Sequence, residues 1–145
     1  MREQWMDRFM ARISDFEEKL EAFNKGEIDR KAYKGFSGGF GSYAQRDPAK
    51  NMLRLRLPGG RLTKERLGFI AGTVEQYGID LLKLTTCETV QLHNLAPEQV
   101  AKIMEAAAEA GIYTLGGGGD NPRNVMCSPL SGVQQGEAFD VMPYA

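Results

Sequence analysis

Apolar residues near the start of the chain recur at the spacing of a single helical face. They are three or four positions apart: Trp5, Phe9, Ile13, Phe16, Leu20 and Phe23. This period predicts an amphipathic helix with one apolar stripe, ending at residues 24–26. The stripe is predicted to pack in the core or to serve as a docking face. A short second helix is predicted over 26–33, and the glycine-rich segment 35–43 is predicted to be a flexible loop.

Between residues 46 and 115 the pattern becomes that of a small α+β unit. Alternation in 51–57 predicts a strand with three leucines on one face and Arg54 and Arg56 on the other. The predicted elements follow in the order strand 51–57, helix 63–77, strand 81–85, strand 89–93, helix 97–110 and strand 112–115. This βαββαβ order predicts a ferredoxin-like sandwich, preceded by the helical arm. The fold alone does not decide the function.

Each of the two helices has an apolar stripe and recognisable end signals. Thr63 is a predicted N-cap, and Pro97 occupies a first helical turn. The stripe of helix 63–77 is predicted to be Leu67, Ile70, Ala71, Val74 and Tyr77, and that of helix 97–110 to be Val100, Ile103, Met104 and Ala107. Both stripes are expected to cover the leucine face of the sheet.

The charge distribution favours a local anion site over a nucleic-acid surface. The formal net charge is −1, yet residues 46–66 contain seven cations and two acids, a balance of +5. A solvated basic surface remains an alternative. The aromatic, glycine-rich segment 34–43 precedes the first predicted sheet strand, where bases have no sheet surface on which to stack. No nucleic-acid partner is therefore expected.

The remaining composition gives no membrane span and no metal framework. No apolar run approaches the roughly 20 residues of a bilayer-spanning helix, so no membrane partner is expected and a cytoplasmic location is the default. Cys87 and Cys127 are 40 positions apart and lack the spacing of a zinc or cluster motif, so no metal ligand is predicted. His93 is the single histidine. A hydrogen-bonded structural role for it remains open.

Three sequence blocks together resemble the siroheme-dependent nitrite and sulfite reductases. They are MLRLRLPGGRLT at 52–63, LKLTTCETVQLHN at 82–94 and GDNPRNVMCSPLSGV at 119–133. The resemblance covers about residues 50–145. It implies a ferredoxin-like half-domain over 46–115 and the start of a siroheme-binding domain over 116–145, which follow the helical arm and glycine-rich loop predicted over 1–45 from the residue pattern. The tail is expected to continue into a longer protein.

The resemblance also implies roles for particular residues. Arg54 and Arg123 match the arginines that contact the bound anion, and are predicted to be catalytic as well as cofactor-binding. The further residues expected to contact siroheme are Lys83, Gln91, His93 and Asn124. The implied substrate is sulfite or nitrite, reduced with electrons from a donor such as ferredoxin. Siroheme and a 4Fe-4S cluster would both require a missing C-terminal part.

One corner departs from the family pattern, and two other functions stay open. Cys87 stands where the family has a cofactor-binding arginine, and Glu88 adds a negative charge beside it. The chain is also compatible with a stand-alone ferredoxin-like module that binds small anions without catalysis. A pure interaction domain, docking through the helix over 5–23, is a further alternative. Purely structural roles stay open as well: Arg54 and Arg56 as residues on the outer face of a strand, and Arg123 in a salt bridge that orders a loop.

Overall fold

The computed structural model describes residues 2–47 and 49–145, with side chains described from residue 8 onward. Four α-helices and four strands follow in the order α1 Arg2–Asn24, α2 Arg30–Ser37, β1 Ser42–Ala44, β2 Asn51–Arg56, α3 Lys64–Tyr77, β3 Leu81–Leu84, β4 Thr89–Leu95 and α4 Pro97–Glu109. Short 3₁₀ turns lie at Gly38–Phe40, Pro58–Gly60 and Met142–Tyr144. The predicted long first helix is confirmed, although the Trp5 side chain lies outside the described part. No described helix is long and apolar enough to cross a bilayer.

The four strands form one antiparallel sheet in the order β1-β2-β4-β3. Burial alternates along β2, where Leu53 and Leu55 are fully buried and Arg54 and Arg56 are half-buried. The leucines therefore lie on the core face and the arginines on the opposite face, which we call the open face. The mixed α+β class and the predicted alternation of β2 are both confirmed.

The sheet edge next to β2 differs from the sequence prediction. Within the described residues, the predicted strand 112–115 makes only an isolated bridge, between Tyr113 and Arg56. β1 occupies the rest of that edge, with Ser42 opposite Leu53. The loop predicted over 35–43 is therefore wrong. Gly41, with φ of 76°, supplies the left-handed turn into β1, so the sheet begins ahead of the predicted boundary at residue 46.

The second helix is displaced from its predicted position. It begins after Asp29, whose carboxylate accepts a hydrogen bond from the backbone N–H of Ala32 at 2.7 Å. Asp29 is thus an N-cap, and the helix continues to Ser37 instead of stopping at Tyr33. The sequence prediction missed this cap and placed the helix four residues too early.

The core lies between the leucine face and the helices. Four residues of the α1 stripe are buried where α1 packs against α4 and α2, namely Phe9, Ile13, Phe16 and Leu20. The predicted α4 stripe is confirmed as buried, and the Thr63 N-cap of α3 is confirmed by its hydrogen bond from the Arg66 backbone N–H.

The buried face of α3 was predicted wrongly in part. Leu67 is 53% exposed, and Ala71 is also exposed, whereas Ile70 and Thr73 are buried. Thr73 tolerates burial because its hydroxyl donates to the Phe69 carbonyl at 2.9 Å, within the helix. The apolar pattern counted this threonine as polar, which rotated the predicted face away from the true one.

Candidate functional site

Three polar side chains form a row across the open face of the sheet. Arg54 on β2 lies opposite Gln91 on β4, and Gln91 lies opposite Lys83 on β3. Directly opposed residues of antiparallel strands place their side chains on the same face. Pairing thus brings together residues that are 37 and 8 positions apart in sequence. We call Arg54, Gln91 and Lys83 the donor row.

Arg54 loses part of its hydration, and one of its hydrogen-bond donors gains no protein partner in exchange. Its Nη1 donates to the Gly117 carbonyl at 2.6 Å, but its Nε is buried and has no hydrogen-bond partner. Burial lowers the pKa of Arg54, and the nearby positive charge of Arg123 lowers it further. The structure therefore brings the charges of these two residues, 69 positions apart, within reach of each other.

In the described part of the chain, none of Arg54, Lys83 and Arg123 forms an ion pair with a carboxylate; an ion pair is present between Lys25 and Glu21 on α1. Like charges brought together repel, and a half-buried cation such as Arg54 loses part of its hydration. This arrangement is suited to an anion that lies between the cations.

A third arginine holds the segment that carries Arg123. Arg56 donates from Nη1 to the Leu115 carbonyl at 2.9 Å and from Nε to the Arg123 carbonyl at 3.2 Å. One guanidinium thus fixes both ends of residues 115–123 against β2. Arg56 was not among the predicted site residues. The signal that identifies it is the period-2 alternation that puts it on the same face as Arg54.

The glycines after residue 115 allow this segment to approach the sheet closely. A Cβ on Gly117 would lie 2.7 Å from the Thr114 carbonyl oxygen, and one on Gly118 would lie 2.8 Å from Cε2 of Tyr43. Tyr43 in turn accepts a hydrogen bond from the backbone N–H of Gly119 at 2.6 Å. Side chains larger than hydrogen would push the segment, and Arg123 with it, away from the open face.

Asn124 has a different surrounding from the other predicted residues. Its side-chain amide donates to the carbonyls of Leu57 at 2.8 Å, Glu88 at 3.0 Å and Cys87 at 3.1 Å. Its nitrogen is thereby engaged in tying the segment to two turns, and its Oδ1 is buried without a partner. Asn124 therefore holds the backbone next to Arg123 in place.

The turn between β3 and β4 contains the departure from the family pattern. Cys87 is half-buried there with a free thiol. Glu88 adopts a left-handed conformation with φ of 55°, and its carboxylate accepts from the backbone N–H of Cys127 at 3.2 Å. The Glu88 carboxylate is therefore hydrogen-bonded to the backbone of the same chain.

His93 and Gln91 are linked on the open face. Nε2 of His93 lies 3.0 Å from Oε1 of Gln91, and Nδ1 of His93 lies 3.4 Å from Nε2 of Gln45. Burial lowers the pKa of His93, and the charge of Lys83 lowers it further. Gln45, in the β1–β2 hairpin, is a contact that sequence reasoning missed, since it lies 48 positions from His93.

Metal ligands do not cluster in this part of the molecule. Among the side chains that the structure describes, those of residues 8–47 and 49–145, no group of three or more His, Cys, Asp or Glu is placed to hold a metal ion. What the described residues offer at the open face is a set of hydrogen-bond donors and positive charges.

Part of the chain is similar in sequence to known proteins. Residues 43–110 match the nitrite/sulfite reductase ferredoxin-like half domain. The chain is 35% identical over 94 residues to the chloroplastic ferredoxin–nitrite reductase of Zea mays, covering 64% of this chain and 16% of the relative. It is 39% identical over 77 residues to the sulfite reductase [NADPH] hemoprotein beta-component of Bacillus licheniformis, covering 53% of this chain and 14% of the relative.

A solved structure shows the same fold. The Mycobacterium tuberculosis NirA protein superposes with a TM-score of 0.67 at 23% identity, covering 84% of this chain and 27% of that one. The chain thus spans about a sixth of the length of the curated relatives it matches. The predicted ferredoxin-like fold and the predicted family resemblance are confirmed. Residues 43–110 are thus similar to the ferredoxin-like half domain of the nitrite and sulfite reductases.

Proposed function

We propose that this chain is the N-terminal part of a siroheme- and iron–sulfur-dependent nitrite or sulfite reductase. In this proposal the open face binds siroheme carboxylates and the substrate oxyanion. The observation that carries it is the donor row beside Arg123, whose cations have no carboxylate partner in the described chain. The family match supports the same assignment.

The residues present fit the carboxylates of siroheme. Arg54 offers a buried Nε without a partner, and Lys83 offers an exposed ammonium at the far end of the same row. Guanidinium groups bind carboxylates and oxyanions through paired, charge-assisted hydrogen bonds. Cys87 supplies no such group, so this corner would hold the cofactor with one cation fewer than the family pattern. Ligands for the siroheme iron and for a 4Fe-4S cluster would come from outside the described residues.

The chain's own residues would bind and orient the substrate. When bound, siroheme supplies the iron at which the oxyanion is reduced. Arg54 and Arg123 would hold the oxyanion between them and offset the negative charge that develops during its reduction. Arg56 and Asn124 would keep Arg123 in place through the carbonyls they contact.

The relatives suggest two substrates and two kinds of electron donor. The names of the maize and Bacillus proteins give nitrite with ferredoxin in one case and sulfite with NADPH in the other. We propose an oxyanion of this class as the substrate, with ferredoxin as the donor that the higher-coverage match favours.

The reading frame beyond Ala145 gives the first test. The proposal predicts that it supplies four cluster-ligating cysteines in two short motifs. A reading frame that stops at Ala145 would contradict it and would favour the stand-alone anion-binding module.

Thermal shifts separate these two functions in the purified chain. A stand-alone module should be stabilised by sulfite, nitrite, sulfate or phosphate without any cofactor, because ligand that binds only the folded state raises its stability. The reductase assignment predicts small shifts with each anion in the absence of siroheme. A large, saturable shift with one anion would contradict that assignment.

A further inference from the structure

Gln45 connects the β1–β2 hairpin to the open face through a contact whose direction is fixed by the backbone. The backbone N–H of Asn94 points at the Gln45 side chain at 2.7 Å. A backbone N–H can only donate, so the atom it meets must be the carbonyl oxygen Oε1. The other end of the same amide, Nε2, is then the group 3.4 Å from Nδ1 of His93.

Gln45 is held in this position by two further contacts. Its backbone N–H donates to the Lys50 carbonyl at 2.8 Å across the hairpin. Its backbone carbonyl accepts from Nη2 of Arg30 on α2, which also donates to the Ala44 carbonyl at 3.3 Å. The side-chain amide thus starts from a fixed backbone and has its oxygen anchored as well.

The orientation of Gln45 determines which ring nitrogen of His93 carries the proton. Nε2 of Gln45 bears hydrogens only, so Nδ1 of His93 must accept. In a neutral imidazole the proton then resides on Nε2, where it can donate to Oε1 of Gln91 at 3.0 Å. With Oε1 turned toward His93, the Nε2 end of the planar Gln91 amide faces away from the ring.

We infer that Gln45 is a positioning residue that acts through His93 to turn the amide nitrogen of Gln91 toward the anion. The open face then presents hydrogen-bond donors along the whole donor row. With the opposite tautomer, Gln91 would place a carbonyl oxygen between Arg54 and Lys83 and would repel an anion there. The part concerning the anion rests on the proposed function, whereas the orientation of His93 and Gln91 does not.

The contacts from Gln45 through His93 to Gln91, which we call the relay, require a neutral imidazole ring. The environment of His93 favours that neutral form. Lys83 faces it from β3, and Leu81 lies opposite it in the same pairing. Asp80, just before β3, accepts from the Asn94 side chain at 2.9 Å. A protonated ring would carry a second donor at Nδ1, directed at the Nε2 amide of Gln45, and the relay would be broken.

Nitrogen-15 NMR of the imidazole tests the relay directly, because His93 is the single histidine of the 145-residue chain. At a pH above its titration, we expect the proton on Nε2 and a bare, accepting Nδ1. A spectrum with the proton on Nδ1 overturns the inference without any variant being needed.

Gln45→Glu is designed to move the proton of His93 to the other ring nitrogen. A glutamate keeps an oxygen for the Asn94 N–H, but its second oxygen can only accept, so the proton of His93 should move to Nδ1. Gln76→Glu, on an exposed position of α3, adds the same charge and should leave the tautomer unchanged. An unchanged tautomer in Gln45→Glu would overturn the relay.

A sulfite titration of the full reading-frame product that carries the same substitutions separates the relay from the proposed function. If both hold in the siroheme-loaded enzyme, Gln45→Glu weakens sulfite binding by about tenfold, the loss expected for one hydrogen bond to a charged group. Gln76→Glu should bind sulfite like the unaltered enzyme. Equal affinity in Gln45→Glu, with the tautomer reversed, overturns the part of the inference that concerns the anion. Absence of sulfite binding in the unaltered loaded enzyme counts against the proposed function, while the imidazole spectrum still decides the relay.

Discussion

Arg54 combines burial, a neighbouring like charge and a vacant donor in one side chain. Its desolvation lowers its pKa, as does Arg123, and its Nε finds no partner. Of the buried side-chain atoms without a partner in the described chain, Nε of Arg54 belongs to a charged group, for which a missing hydrogen bond is most costly. The reason we offer for the missing hydrogen bond is an anion that completes the site in the intact enzyme.

Replacing Arg54 in the intact enzyme tests this reason. Arg54→Met should lower kcat/KM by the equivalent of about 2–4 kcal/mol of transition-state stabilisation, as for loss of an oxyanion-hole donor. Arg54→Lys should recover part of that loss, because lysine keeps the charge and loses the paired donors. Steady-state kinetics with a reduced viologen measures both. The control is Arg8→Met, at an exposed position of α1. If Arg54→Met is as active as Arg8→Met, Arg54 does not bind the anion.

His93 gives a pH dependence whose sign follows from its lowered pKa. Between the ordinary value of 6.5 and the lower value in the folded chain, the unfolded state binds a proton that the folded state does not. The free energy of unfolding should therefore fall as the pH is lowered through this window, and rise again toward neutral pH. Chemical denaturation at a series of pH values, compared with His93→Gln, measures it. An identical slope in His93→Gln would show that another group is responsible.

At the scale of elements, local periodicity was enough to predict β2 and α4. The alternation of Leu53 and Leu55 with arginines, and the 3–4 spacing in α4, are properties of short stretches that tertiary contacts merely preserve. The edge of the sheet was not predictable in this way. β1 has three residues in a glycine-rich segment, and its pairing with β2 depends on the Gly41 turn and on the hairpin that follows.

The residues of the site divide in the same way, into those that a short sequence pattern predicts and those that depend on long-range contacts. Arg54, Lys83, Gln91 and His93 were predictable because sequence blocks and strand alternation placed them on one face. The contacts of Gln45 with His93 and of Arg56 with the Arg123 carbonyl span 48 and 67 positions. Such contacts depend on how the β1–β2 hairpin and the glycine-rich segment 116–119 fold onto the sheet. No short sequence pattern predicts that.

The glycine segment gives a stability prediction at this scale. Gly118→Ala should destabilise the chain by about 1–3 kcal/mol, the usual cost of overpacking, because its Cβ would meet Cε2 of Tyr43 at 2.8 Å and the Gly38 carbonyl oxygen at 2.9 Å. Gly35→Ala in α2, where nothing lies within 4 Å, should instead stabilise by about 0.5–1 kcal/mol.

Urea unfolding of both glycine variants measures the difference. The two substitutions add the same methyl group, so helix propensity and steric conflict are the only terms that separate them. If Gly118→Ala is as stable as the unaltered chain, the segment 116–119 does not pack on Tyr43 as described.

At the scale of the whole molecule, the described residues supply a folded half-domain with one cationic face. The sheet, α1, α3 and α4 share a single core, while none of the described helices buries Lys83 on the opposite face, where it stays exposed. Large apolar side chains also remain exposed beyond the sheet, among them Met126, Leu130 and Phe139. Both features are consistent with a chain that is completed by more protein and by a cofactor.

The absorption spectrum and reductase activity of the whole reading-frame product, expressed with siroheme supply, test the central claim most directly. We predict a Soret-type band together with viologen-dependent reduction of nitrite or sulfite, and a chain of residues 1–145 alone that is colourless and inactive. A full product without the band and without turnover would contradict the reductase assignment. The same contradiction would follow if residues 1–145 alone showed both.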